Sequence, residues 1–189
     1  MRKRMLIKLA IMVAMTPLCV SALTRIGFAH NNPQSNAAHI SKEVRHELVM
    51  LPYYGVFDWL EYEVQPDNTV VLRGQVVRPT TKSDAEARVK DIDSVKRVVN
   101  QIEVLPPSPN DDQLRVALYR AIYGWDSPLF HYATESVPPV HIIVSHGRAT
   151  LKGIVDIKGD ADLAYVRART VPGLFDVKSE LRVHGERPR

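Results

Sequence analysis

The chain repeats itself, and that constrains its fold more than any other feature. "VLRGQV" at 71–76 and "TLKGIV" at 150–155 align at an offset of 79. The offset runs without a gap from Glu61/Val140 to Val104/Val183, 44 positions. Leu72/Leu151, Gly74/Gly153, Val76/Val155, Ala85/Ala164, Arg88/Arg167, Val98/Val177 and Val104/Val183 are identities. Ile92/Val171, Val95/Leu174 and Ile102/Leu181 are conservative. Two copies make a duplication, not a solenoid, which needs three or more stacked units.

Each unit reads helix, strand, strand, helix, strand. The first helix, "SKEVRHELVML", is expected to begin near Ser41 as its cap, with Val44, Leu48 and Leu51 on one face. Pro52 closes it. A hairpin follows, turning at "PDN", where Asn68 can take positive φ. Val70, Leu72, Gly74 and Val76 share one face of its second strand. A helix over about 82–92 turns Ala85, Val89 and Ile92 inward, and "RVVNQIEV" supplies the last strand. The second unit repeats this order, with a helix over about 111–122, a hairpin turning at His146-Gly147, a helix from near Asp160 stopped by Pro172-Gly173, and the strand "FDVKSELRV". With one sheet face polar, both helices cover the other. The expected fold is α+β: two tandem α-β-β-α-β domains, each a three-stranded mixed sheet with two helices on one face.

The domains are expected at 41–105 and 111–184, with a Pro-rich linker at 106–110 and a tail at 185–189. "LPPSPN" makes the junction stiff. Units of about 65 residues are marginal alone, so the two should dock.

The N-terminus reads as a targeting segment. Arg2, Lys3 and Arg4 precede an apolar run to Leu23, broken by Lys8 and Pro17, with small residues at Ala22 and Ala29. This is the layout of a signal peptide over 1–29, cut after Ala29 or after Ala22. Export to the periplasm follows as an expectation, with an uncleaved inner-membrane anchor as the alternative. The run after Lys8 falls short of the ~20 residues of a spanning helix. "TPLC" lacks the small residue a lipoprotein site needs before Cys19.

Removing 1–29 takes five basic residues and no acid, leaving 20 basic against 21 acidic, formally −1 in place of +4. That balance gives no support for nucleic-acid binding by the whole domain, which would need a basic face. Its only Cys, Cys19, lies in that segment, so no disulfide or thiol chemistry is expected beyond it. "HNNPQSNAAHI", 30–40, is polar and expected to be disordered.

No catalytic, cofactor or metal constellation stands out. His141 and His146 flank opposite sides of a hairpin turn, with no Cys partner. "DIKGDAD" at 156–162 lacks the order and the closing Glu of a calcium loop and reads as capping acids. Gly74 and Gly153 are lone strand glycines, read as allowing close helix–sheet approach or a bulge.

With these residues in view, the chain resembles a tandem of BON domains, named for bacterial OsmY and nodulation proteins. The family pattern "V-x-L-x-G-x-V", a helix with Ala and Arg, then "V-x-G-V-x-x-V-x-N-x-L-x-V" is met by "VVLRGQV", Ala85, Arg88 and "SVKRVVNQIEV". The second unit meets it with "ATLKGIV", Ala164, Arg167 and "VPGLFDVKSELRV". Asp93-Ser94 and Ser179 depart from the usual Gly and Asn. The resemblance covers about 41–184 and implies an exported envelope protein without catalytic residues. It implies binding to phospholipid surfaces and a link to osmotic or other envelope stress, or a holdase-like role among envelope proteins.

The helix-to-strand crossings are the candidate contact sites. The second, "YRAIYGWDSPLFHY", offers Tyr123, Trp125, Leu129, Phe130 and Tyr132, with Arg120 for phosphates and, more weakly, Arg115 and Arg148. The first offers Tyr53, Tyr54, Phe57 and Trp59. Arg45 matches Arg115 at an offset of 70, so the second crossing is nine residues longer. Long loops bearing Trp and Phe need a covering partner, and Trp and Tyr suit a membrane interface. Packing between the units is the competing reading, favoured for the first crossing.

Overall fold

The computed structural model describes residues 33–185, with side chains from residue 36. The expected signal segment, residues 30–32 and residues 186–189 of the expected tail lie outside the described residues. Two repeats of the expected fold follow each other. In the first, α1 (Pro33–Val49) leads to β1 (Trp59–Val64), β2 (Thr69–Val76), α2 (Pro79–Lys90), β3 (Arg97–Asn100) and β4 (Glu103–Val104). In the second, α3 (Pro109–Tyr123) and a 3-10 helix (Pro128–Thr134) precede β5 (Val140–Ser145), β6 (Arg148–Val155), α4 (Lys158–Arg169) and β7 (Asp176–Val183). The two repeats pack as one compact unit.

Both sheets are mixed. β2 pairs antiparallel with β1 and parallel with β3 and β4; β6 does the same with β5 and β7. Alternation then sends Leu60, Tyr62 and Val64 to one side with Val70, Leu72 and Val76. There they meet Ile40, Val44 and Leu48 of α1 and Ala85 and Val89 of α2 in a single core. Leu118, Ile142, Leu151, Ala164 and Ala168 build the equivalent core in the second repeat.

Three expectations are corrected. The first helix starts at Pro33, not near Ser41, so residues 33–40 are helical. Ile40 is wholly buried and extends the Val44 and Leu48 stripe by one turn, which supplies the apolar contact that the polar composition around it concealed. Ser41 is not a cap: its carbonyl accepts from the Tyr62 hydroxyl.

The gapless self-alignment fails in the first strand. Tyr62 faces Leu72 and Ile142 faces Leu151, so these strands match at an offset of 80. The turns differ: the first runs Gln65 to Thr69, where the Gln65 amide donates to the Thr69 carbonyl. The second needs only His146 and Gly147, both at positive φ (51° and 72°), as a tight hairpin of this hand requires.

The lone glycines do not serve helix–sheet approach. Gly74 and Gly153 sit at φ +126° and +135°, and a Cβ there would fall 1.9 Å from the Trp59 carbonyl oxygen and 1.8 Å from that of Pro139. It is the neighbouring edge strand's backbone that leaves no room.

The third strand of the first repeat is interrupted at Gln101-Ile102 because Asn100 turns inward. Its Oδ1 accepts from the Ile102 amide, and its Nδ2 donates to the Lys82 carbonyl and to Glu86. Ser179 at the equivalent place leaves β7 continuous.

Candidate functional site

The two crossings share a Tyr-Gly start and then part. In the second, the Tyr123 hydroxyl donates to the Val140 carbonyl and accepts from the Val140 amide, both at 2.9 Å. Burial raises its pKa well above the usual phenol range. Tyr54 stands equivalently beside the Leu60 amide, its pKa pushed up to about 12 chiefly by burial.

After Tyr54-Gly55 the first crossing leaves its own repeat and lies along the outer edge of β5. The Ile142 amide donates to the Val56 carbonyl at 2.8 Å. Val56 and Phe57 pack onto the second repeat's core, Phe57 meeting the Tyr119 ring edge-on at 6.3 Å. His141 is buried here, Nδ1 2.6 Å from the Asp58 carbonyl. A carbonyl only accepts, so Nδ1 carries the proton. The imidazole lies 5.1 Å from the Trp59 ring and 5.6 Å from Tyr54. Burial holds its pKa below the ordinary value, against the pull of the backbone carbonyls.

Asp58 locks this crossing. Its carboxylate accepts from the Gly55 and Val77 amides, and burial raises its pKa despite those bonds. Tyr54, Phe57 and Trp59 therefore belong to the junction between the repeats, while Tyr53 stays outside, half-exposed, under the Arg78 guanidinium.

The second crossing keeps most of its apolar side chains for its own core. Tyr123, Leu129 and Tyr132 are buried, which removes them as contact residues for a surface. Each has a partner: Tyr132 donates to Asp160 and accepts from the Asp156 amide, and Leu129 is enclosed beneath the 3-10 helix. Arg115 is also buried, bonded to Asp112 and to the Val144 carbonyl, and has no phosphate role.

What remains outside is Trp125, 89 % exposed, stacked on the half-buried Phe130 with ring centroids 4.4 Å apart. Arg167, an arginine of the repeat motif, fastens the loop beneath them: it donates to the Ala121 and Asp126 carbonyls and to the Asp126 carboxylate. That pairing lowers the Asp126 pKa. Arg120 is exposed in the last turn of α3, whereas Arg148 is exposed at the far end of the sheet, on the β5–β6 turn.

Phe175 was not a candidate from sequence, yet it is 79 % exposed beside Gly147. The repeat carried the signal, since Phe175 aligns with the charged Lys96 and so stands at a position that does not face the core.

Among the described residues, no group of three His, Cys, Asp or Glu is placed to hold a metal ion. Two acids of "DIKGDAD" are engaged, Asp160 by Tyr132 and Asp162 by Lys158. No helix of the described residues is long and apolar enough to cross a membrane.

The chain is thus a duplicated α-β-β-α-β body that carries an exposed aromatic stack on a braced loop. The chain belongs to the BON-domain family, whose model matches residues 36–106 and 131–185. Proteins of this family are generally envelope-associated and generally not enzymes. No curated protein matches the chain. Among solved structures it is similar to CdsD, described as a structural protein of the type III secretion system of Chlamydia trachomatis. The identity is 14 %, over 77 % of this chain and 92 % of that one, with a TM-score of 0.29. The C-terminal domain of CdsD is matched at 14 % identity over 75 % and 96 % of the two chains, with a TM-score of 0.27.

Proposed function

We propose that this is a non-catalytic periplasmic protein that touches a phospholipid surface through its second crossing. The observation that carries the reading is the Trp125–Phe130 stack, held outward on a loop that Arg167 braces. An indole joins an apolar body to a polar N–H, which suits the headgroup boundary of a bilayer. Arg120 is available beside it for a lipid phosphate. With a formal charge near zero beyond the N-terminal segment, attraction is local and not spread over the whole surface.

A Trp side chain of roughly 200 Å² at ~25 cal/mol per Å² is worth about 5 kcal/mol on full burial. Interfacial insertion recovers roughly half of that, so Trp125→Ala should weaken partitioning about 50-fold. Co-sedimentation with phosphatidylethanolamine–phosphatidylglycerol vesicles reads this directly, with Trp125→Ala plus Phe130→Ala as the stronger variant. Lipid binding unchanged in the double variant would sink the assignment. Suppression of client aggregation without lipid, lost in the same variant, would instead favour the holdase-like reading.

A further inference from the structure

The repeat supplies its own control for what covers a sheet edge. On β5 the outward-facing backbone groups belong to Val140, Ile142 and Val144, and each of these residues is engaged. Tyr123 holds Val140, the Val56 carbonyl accepts from the Ile142 amide, and Arg115 donates to the Val144 carbonyl. The matching groups on β1 belong to Leu60, Tyr62 and Val64, since Glu61 and Glu63 face β2 within the ladder. Leu60 has Tyr54. Among the described residues, nothing bonds the outward amide and carbonyl of Tyr62 or Val64. Arg45, aligned with Arg115, points to solvent and pairs with no described acid. An open strand edge of this kind is a template for another chain.

The plug is unmatched at the other end. The residues after Tyr54-Gly55 are Val56 and Phe57, which seat on the next repeat. The residue after Tyr123-Gly124 is Trp125, which stacks on Phe130 of its own loop and otherwise stands in solvent. Its carbonyl has no hydrogen-bond partner among the described residues. Inside the chain the contact runs from the crossing of one repeat to the edge of the following one. Such a contact is heterologous and can continue from chain to chain.

We infer that the outer edge of β1 receives the Trp125 crossing of a second copy of this chain, the Tyr62 amide donating to the Trp125 carbonyl as Ile142 does to Val56. Association is head-to-tail. Arg120, exposed beside the plug, meets the exposed Glu61 of the receiving strand, whose neighbour Glu63 is already paired with Arg73. The contact and the lipid surface compete for Trp125, so the inference stands apart from the lipid reading and can fail without it.

The test uses the whole chain, expressed with its own N-terminus so that any processing takes its natural course, in sedimentation velocity over rising concentration. The wild type should associate. Trp125→Ser removes the plug and keeps the edge; Val64→Pro removes an outward N–H that serves no ladder bond and keeps the plug. Each variant alone should be a monomer, and the mixture should form a dimer that grows no further. Val64→Pro should keep the far-UV circular dichroism spectrum and near-wild-type cooperativity of unfolding, which shows that it is folded. In the wild type, the Tyr62 and Val64 amides should gain at least tenfold protection from hydrogen exchange as concentration rises. A wild type that stays monomeric, association that survives in either variant, or unchanged exchange at those two amides would overturn the inference.

Discussion

The junction between the repeats should weaken on mild acidification, through one residue. His141 is buried, neutral and proton-donating to the Asp58 carbonyl, and burial depresses its pKa. In the unfolded chain it titrates near 6.5. Above that pH both states are neutral and the residue contributes no pH dependence. Below it the unfolded chain takes up a proton that the folded chain refuses. Stability therefore falls by about 1.4 kcal/mol per pH unit until the folded value is passed, and then levels off. Asp58 holds the imidazole through its carbonyl, and Arg78 and Arg115 act on the Asp58 carboxylate. Asp58, raised by burial, takes its proton more readily when folded, so it opposes the loss as pH falls towards the carboxylate range. The measurement is thus a difference: urea unfolding of the wild type and of His141→Gln between pH 7.5 and 5.5, the extra loss belonging to His141, about 1.4 kcal/mol over the whole interval while the folded imidazole stays neutral. Trp59 fluorescence, recorded in a Trp125→Phe background, reports opening at the junction itself, since its ring lies 5.1 Å from the imidazole. Equal slopes in the two proteins would refute the reasoning.

Two other sites give sharp outcomes. Gly153→Ala places a methyl 1.8 Å from the Pro139 carbonyl oxygen at φ +135°; a loss above about 3 kcal/mol, or failure to fold, is expected in thermal unfolding, and a stable protein would contradict the strand geometry. Asp111, buried in the first turn of α3, accepts from the His146 and Gly147 amides; Asp111→Ala should cost about 3 kcal/mol in urea unfolding and speed amide exchange at that turn, and a change below about 0.5 kcal/mol would show the turn to be held by other means.

The repeat, the order of elements and the family were all legible in the chain because they rest on local signals. Alternation of Val70, Leu72 and Val76 needs no partner to be read, and neither does Asn68 in a turn or Pro172-Gly173 ending a helix. Packing of the first crossing between units was expected for Tyr53, Tyr54, Phe57 and Trp59 together, because units this small should dock; Tyr53 alone stays outside. Offsets failed where a single residue changes meaning: a turn longer by one residue moved the first strand from 79 to 80, and Ile40 drew eight polar-looking residues into a helix.

Burial of the second crossing was a tertiary decision. Tyr123, Leu129, Tyr132, Trp125 and Phe130 are alike on paper, five apolar side chains within ten residues. Which of them face inward depends on where the Val140 backbone and the Asp160 carboxylate stand in space, and those lie 17 and 28 residues along the chain from their tyrosines. The same holds for Arg115 and Arg120, one drawn under β5 to satisfy a carbonyl and the other left in water. Sequence determined that this chain is two BON units with aromatic crossings. Only the packed structure decided that one crossing closes a sheet edge and the other stands open, because an edge is satisfied by whichever distant backbone comes within hydrogen-bond reach.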